Sequence, residues 1–201
     1  MKLTTRELVT ITVFGALWGI VEISLGSVLK ALQVPLSGPV LAGIGLTFVL
    51  IGRAFVPRRG STLFAGVIAM LLKLFSIGNI IIGPIIGILA EALLAEIVLS
   101  VFGKPSRLSF TLAGALGVLW TLVHPFFTGW AIFGRDMLEV WQDLLKTGNR
   151  LLGIDPSAAL AILLALIAIH LLIGAIAGLL AWSLGTMLRL RLSSARLVSA
   201  K

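Results

Sequence analysis

Six ionisable side chains stand where water is scarce. Glu22, Glu91, Glu96, His124 and His170 interrupt long apolar runs, and Lys73 lies near the end of another. A charge at the centre of a bilayer costs at least about 2.5–3.5 kcal/mol, so such groups face a bundle interior, pair with one another or carry function. Their neighbours recur at helical spacing. Gly15, Gly19, Glu22 and Gly26 share one helical face, and Gly83, Gly87, Glu91 and Ala95 share another. Gly114, Gly117, Thr121, His124 and Thr128 make a third, with Trp120 one turn from His124, and His170, Gly174, Gly178, Ala181 and Gly185 make a fourth. Small-residue stripes are the faces through which membrane helices approach each other, so an ionisable residue on each stripe is aimed into the bundle. The chemistry this predicts is binding. Two carboxylates and two neutral imidazoles, with Lys73 the nearby cation, form an anionic or proton-binding pocket to which Trp120, Trp130 and Trp18 add aromatic surface. A cation suits such a pocket, as does a flat heterocycle with several hydrogen-bond donors.

Each of these residues also has a plainer reading. Glu91 and Lys73 would make a structural ion pair, and Lys73 alone would snorkel to the headgroups. His124 precedes Pro125, which frees the carbonyl of Thr121, so this cluster would mark a kink. His170 on its glycine stripe would be a packing hydrogen bond between helices. The tryptophans near span ends would be interfacial anchors. Glu96 is five residues from Glu91 and therefore about 140° around the helix, which directs it to packing or a protein contact at the cytoplasmic end.

The elements that hold these residues are membrane spans. Of 201 residues, 59% are hydrophobic and 12% charged, with a mean hydropathy of +1.14; soluble domains carry about 25% charged residues. That composition excludes a soluble globular domain, a disordered tail and a coiled coil. The +8 net charge is dispersed among apolar runs, which argues against nucleic acid as a partner. The absence of cysteine excludes disulfides, thiolate metal sites and cysteine nucleophiles. A span needs roughly 20 apolar residues. Six stretches approach this: Leu8–Leu32, Leu36–Phe55, Thr62–Ile82, Gly83–Phe102, Phe110–Phe133 and Ser157–Leu188. The third has an alternative end near Phe75, because Gly78, Asn79, Gly83 and Pro84 break helices. The expected fold is an all-α membrane protein, a single domain of six transmembrane helices.

Charge orients it. Lys2 and Arg6, then Arg53, Arg58 and Arg59, then Lys104 and Arg107, then Arg189, Arg191, Arg196 and Lys201 fall in the N-tail, two alternate connections and the C-tail. The other side has Lys30, Lys73, Arg135, Lys146 and Arg150, offset by Asp136, Glu139, Asp143 and Asp155. The positive-inside rule places both termini in the cytoplasm of a multi-pass cell-membrane protein. This puts Glu22, Glu91 and His124 in the outer half, His170 nearer the centre, and the pocket open to the outside. The first stretch is too long for a secretory signal and lacks a small-residue cleavage site. Between the fifth and sixth spans, Met137, Leu138, Trp141, Leu144, Leu145, Leu151 and Leu152 recur at helical spacing between charged residues. They predict an outer amphipathic helix, either a surface bridge or a lid. Asp155-Pro156 suits the start of the last span.

Several chemistries are missing. The sequence has no phosphate-binding G-x-x-x-x-G-K-[ST] loop, no H-E-x-x-H and no G-x-S-x-G elbow. An enzyme, a metal site and a cofactor are therefore not expected.

Taken together, the six spans, the short connections, the small-x-x-x-small pair Gly15/Gly19 and the Gly- and Pro-containing stretch from Gly78 through Gly83-Pro84 to Glu91 resemble a substrate-binding S component of an energy-coupling-factor (ECF) vitamin transporter. The stretch ending at Glu91 is closest to the thiamine or hydroxymethylpyrimidine branch. The resemblance implies capture of a vitamin at an outward-facing site and energisation by a transmembrane coupling subunit with ATPase subunits. It implies that Gly15 and Gly19 meet the coupling subunit and that Glu91 binds substrate, with His124, Trp120 and Trp130 as further candidates. Glycine stands where the family usually has alanine, tyrosines are missing, and Glu22 and Lys73 match no family pattern. Two rival readings stay open: a stand-alone proton- or cation-coupled carrier using Glu22 and Glu91, and a non-transporting structural subunit of a membrane complex.

Overall fold

The structure, a computed structural model, describes residues 3–76 and 82–199, without the side chains of residues 30 and 195–199. Seven helices account for nearly all of it: α1 (Thr5–Ala31), α2 (Ser37–Phe55), α3 (Ser61–Lys73), α4 (Ile82–Phe102), α5 (Arg107–Ala131), α6 (Met137–Leu152) and α7 (Ala159–Ser199). Five of them, α1, α2, α4, α5 and α7, are long and apolar enough to cross a membrane. The outward face of α7 is as apolar as the inward one: Leu160, Leu164, Leu172, Ile176 and Leu180 are all more than half exposed. A helix apolar on every side needs a non-aqueous solvent, as in a multi-pass membrane protein.

The third stretch stops near its alternative end at Phe75. Its helix ends at Lys73 rather than Ile82, and its 13 residues reach about 20 Å, short of a hydrocarbon core of about 30 Å. Three successive bonds of the tighter i→i−3 kind close it, from Leu74, Phe75 and Ser76 to Leu71, Leu72 and Lys73. The Gly78–Ile81 part of the stretch on which the family resemblance rests lies outside the described residues. At the other end of the chain α7 runs eleven residues past the expected limit of Leu188. Asp155 does not cap α7 directly. It accepts from the amide of Ser157 at 2.8 Å, forming a turn with Pro156 one step before the helix begins.

The helices α1, α3, α4, α5 and α7 form a ring closed by α2, which also presses inward against α3, α4 and α5. Leu46, Val49, Leu50 and Ala54 of α2 are almost wholly buried, and the fully buried Trp18 and Phe110 pack into the same core. Backbones touch where the small-residue stripes cross. A methyl group on Gly174 of α7 would run into the backbone of Gly114 and Ala115 on α5, so this close approach tolerates only glycine. Helix α6 is amphipathic as expected. Asp136 caps its start through the Leu138 amide, and Gly153 ends it in the left-handed region at φ 67°. Only Val140 and Gly148 of α6 are buried, against Gly129 and Ile162.

One end of the ring is held by a buried network that the sequence disguises as a loop charge. Arg53, 4% exposed, pairs with Glu96 at 3.2 Å and donates to Ser61 and to the carbonyl of Arg58. Glu96 also accepts from the amides of Gly60 (2.8 Å) and Thr62 (3.0 Å) and from the Ser100 hydroxyl. A carboxylate on α4 thus caps the orphan amides that begin α3. Removing one partner leaves a buried charge uncompensated. Arg53→Met is expected to destabilise the fold by about 3–5 kcal/mol. Adding Glu96→Gln should recover part of that loss, as read by denaturant unfolding in detergent micelles.

Candidate functional site

At the opposite end of the ring from Arg53 the helix ends splay apart around a cavity of about 270 Å³. Glu22 and Gly26 come from the last turns of α1, and Ser37, Gly38 and Leu41 from the start of α2. Lys73 closes α3, Pro84, Gly87 and Glu91 line the first half of α4, and Thr121 and His124 come from the last half of α5. Four of the residues named from sequence therefore meet: Glu22, Lys73, Glu91 and His124.

Their pairing differs from the ion pair weighed for Glu91. The Lys73 ammonium donates to the backbone carbonyl of Glu22 at 2.6 Å and lies 3.5 Å from its carboxylate. Both residues are 8% exposed. Lys73 does not snorkel; α3 is too short to carry it to the rim, and Glu22 fixes it inside. With the ammonium committed to Glu22, Glu91 is the odd carboxylate. It is 6% exposed, and one of its oxygens has no hydrogen-bond partner among the described residues. His124 binds the carbonyl oxygen of Gly83 at 2.8 Å through Nε2. A carbonyl only accepts, so Nε2 carries the hydrogen and Nδ1 is the acceptor of the neutral ring. Helix α5 runs on through Pro125, and Thr121 donates to the carbonyl of Val118 and Thr128 to that of His124 within it.

The remaining candidates lie elsewhere. His170 is 4% exposed and lines a second cavity, of about 280 Å³, beneath α6. Trp120 stands edge-on to His124 with ring centroids 6.3 Å apart, and backs that imidazole from outside the cavity. Trp130 is 59% exposed and turns away from the bundle. Trp18 is a core residue rather than an anchor; its indole fills the space that a side chain on Gly45 would need. Over the second cavity, Arg135 ties the start of α6 to Asp143 at 2.5 Å and to Glu139 at 3.7 Å. The hydrogen bond from Arg135 holds the Asp143 carboxyl below its ordinary range.

Gly15 and Gly19 require a correction. The resemblance gives them to a partner subunit, but both are covered by α3 of the same chain. A methyl group on Gly15 would lie 2.5 Å from the Ala65 carbonyl oxygen, and one on Gly19 would lie 2.8 Å from the Leu72 side chain. The stripe is spent inside the molecule. The face of α1 left exposed carries Val9, Val13, Leu17 and Ile20 instead.

No protein-family model matches this chain, and no curated protein or solved structure shows significant similarity to it.

The sequence reading missed the buried Arg53, and it left open whether Glu22 and Lys73 bind substrate or only pair structurally. Arg53 lies in a run with Arg58 and Arg59 that looks like an ordinary inner loop. A signal for the pairing was present: Glu22 and Lys73 both sit near the same end of their runs. The intramolecular role of the α1 stripe has a direct test. Gly19→Leu is expected to overpack the α1–α3 contact and lower the stability of the isolated chain by about 1–3 kcal/mol. Thermal unfolding of the purified protein, with no partner present, reads this; an unchanged midpoint would show the face to be open.

Proposed function

We propose that this chain is a membrane uptake protein that captures a small cationic or heteroaromatic nutrient in the cavity between Glu22, Lys73, Glu91 and His124. In this reading α3 completes six membrane-inserted helices, both termini are cytoplasmic, and the cavity opens outward. The observation that carries it is the unfilled carboxylate oxygen of Glu91, buried beside an ion pair that is already neutral. Buried polar atoms are nearly always satisfied, and a persistent exception calls for an explanation such as an absent ligand. A cation would pair with Glu91, and an N–H of a heterocycle would hydrogen-bond to it or to Nδ1 of His124. Orientation is supported by charge. Arg6, Arg58, Arg59, Lys104 and Arg107 all lie at the end opposite the cavity, where cytoplasmic loops collect basic residues.

The sequence contains no nucleotide-binding loop, and the resemblance to ECF S components implies that uptake is energised by a separate coupling and ATPase module. The test is equilibrium binding of a panel of cationic and heteroaromatic vitamins to the protein in lipid nanodiscs. Glu91→Gln is expected to weaken the bound member at least tenfold, since a hydrogen bond to a charged group contributes about 1.5–3 kcal/mol. Its unfolding midpoint should be unchanged or raised. Absence of binding across the panel, or equal binding by the variant, would overturn the proposal. Uptake into proteoliposomes driven by a pH gradient without ATP would instead identify a stand-alone carrier.

A further inference from the structure

We infer that the site is bipartite and takes an elongated ligand, with a cationic head at Glu91 and an apolar, ring-like body under α6. This rests on the binding-site reading above and specifies the class of ligand. The two cavities are neighbours: Ser37, Gly38 and Thr121 belong to the walls of both. Each alone falls below the range of roughly 300–1,000 Å³ in which small-molecule ligands are usually held, while the pair together falls inside it. Their linings differ in kind. The first brings Glu22, Lys73, Glu91 and His124 together. In the second, Pro39, Leu122, Phe126, Leu144 and Leu166 form an inner wall that accepts hydrocarbon or an aromatic ring, while its charged residues, Arg135 and Asp143, are half exposed and already paired with each other.

A second observation points to a ligand in that apolar compartment. His170 is 4% exposed and lines it, and Nδ1 of its ring lies 2.7 Å from the carbonyl oxygen of Leu166. That bond fixes the hydrogen on Nδ1 and leaves Nε2 as an acceptor, without a hydrogen-bond partner among the described residues. One acceptor on a buried residue, set among Leu122, Leu166 and Phe126, orients a ring that carries a single donor. Helix α6 supplies part of the wall through Val140, Leu144 and Thr147, yet buries only two residues of its own. The compartment therefore lies between the rigid ring and its most lightly packed element, which is where a ligand body can enter without opening the bundle.

The test compares two probes of equal head charge, n-butylamine and 4-phenylbutylamine, by calorimetric titration of the protein in nanodiscs with empty nanodiscs subtracted. The phenyl compound is expected to bind at least tenfold more tightly. Thr147→Trp, which fills the apolar compartment from the peripheral helix, should bring that ratio to within twofold. Gln142→Trp, on the exposed side of α6, should leave the ratio as it was. Glu91→Gln should weaken both amines by a similar factor. A ratio within twofold in the unmodified protein, or a large ratio that Thr147→Trp does not reduce, would overturn the bipartite site. If Glu91→Gln still weakened both amines in that case, the polar site would stand and only its extension would fall. If Glu91→Gln left both unchanged, the polar site would fall as well.

Discussion

The buried pair between Lys73 and Glu22 is the contact on which the arrangement of the site depends. An ammonium that is 8% exposed in an apolar bundle has few solutions, and this one uses two oxygens of a single residue, the backbone carbonyl and the carboxylate of Glu22. Forming such a pair yields little net stability, because the desolvation of both charges offsets most of their attraction. Its consequence is positional. Helix α3 ends inside the bundle, and the pair fastens that end to α1 at the level where α4 and α5 bring Glu91 and His124. It also decides the charge of the cavity. Once Lys73 is spent on Glu22, no described cation remains beside Glu91.

Glu91 and Glu96 show how far position on one helix governs the role of a side chain. They are five residues apart on α4, both 6% exposed, and turned about 140° from each other. Glu96 faces the start of α3, where it meets Arg53, two backbone amides and the Ser100 hydroxyl. Both oxygens of Glu96 are satisfied there, and it acts as a staple. Glu91 faces Gly87 and His124 across open space and keeps an unsatisfied oxygen. The same carboxyl group is a closed structural device at one end of the ring and an open acceptor at the other.

Much of this was legible in the sequence because it depends on local pattern. Apolar length set α1, α2, α4 and α5 to within a few residues, and the alternation of leucine with charge set α6. The small-residue stripes correctly marked faces that are buried. What such a stripe cannot encode is the identity of the surface that covers it, and for this reason Gly15 and Gly19 looked available to a partner when α3 already covers them. Pairing partners were illegible for the same cause. Lys73 had two carboxylates within plausible reach, and the choice of Glu22 over Glu91 follows from where α3 stops, which is a tertiary matter. His170 shares a stripe logic with the other ionisable residues, but the start of α2 borders both cavities through Ser37 and Gly38, and His170 falls in the neighbouring one.

That same start of α2 bears on why the open carboxylate points to a cation. The first turns of α2 and α4 both border the polar cavity, and helix N-termini carry a partial positive charge. Their help is limited: about 0.3–1 kcal/mol for each favourable placement, rising to about 2 kcal/mol when partly buried, and fading beyond the first turn. Glu91 stands more than two turns into α4, so its own helix contributes little. Desolvating an ionised carboxyl costs several kcal/mol even after relaxation. Dipoles of that size leave most of the cost unmet, and His124, with Nε2 committed to Gly83, offers Glu91 no donor from that atom. The shortfall is of the size that one charge-assisted contact supplies. A buried carboxyl without such a contact is ordinarily kept neutral by a proton, and in the proposed reading a positively charged group on the ligand takes that proton's place at Glu91.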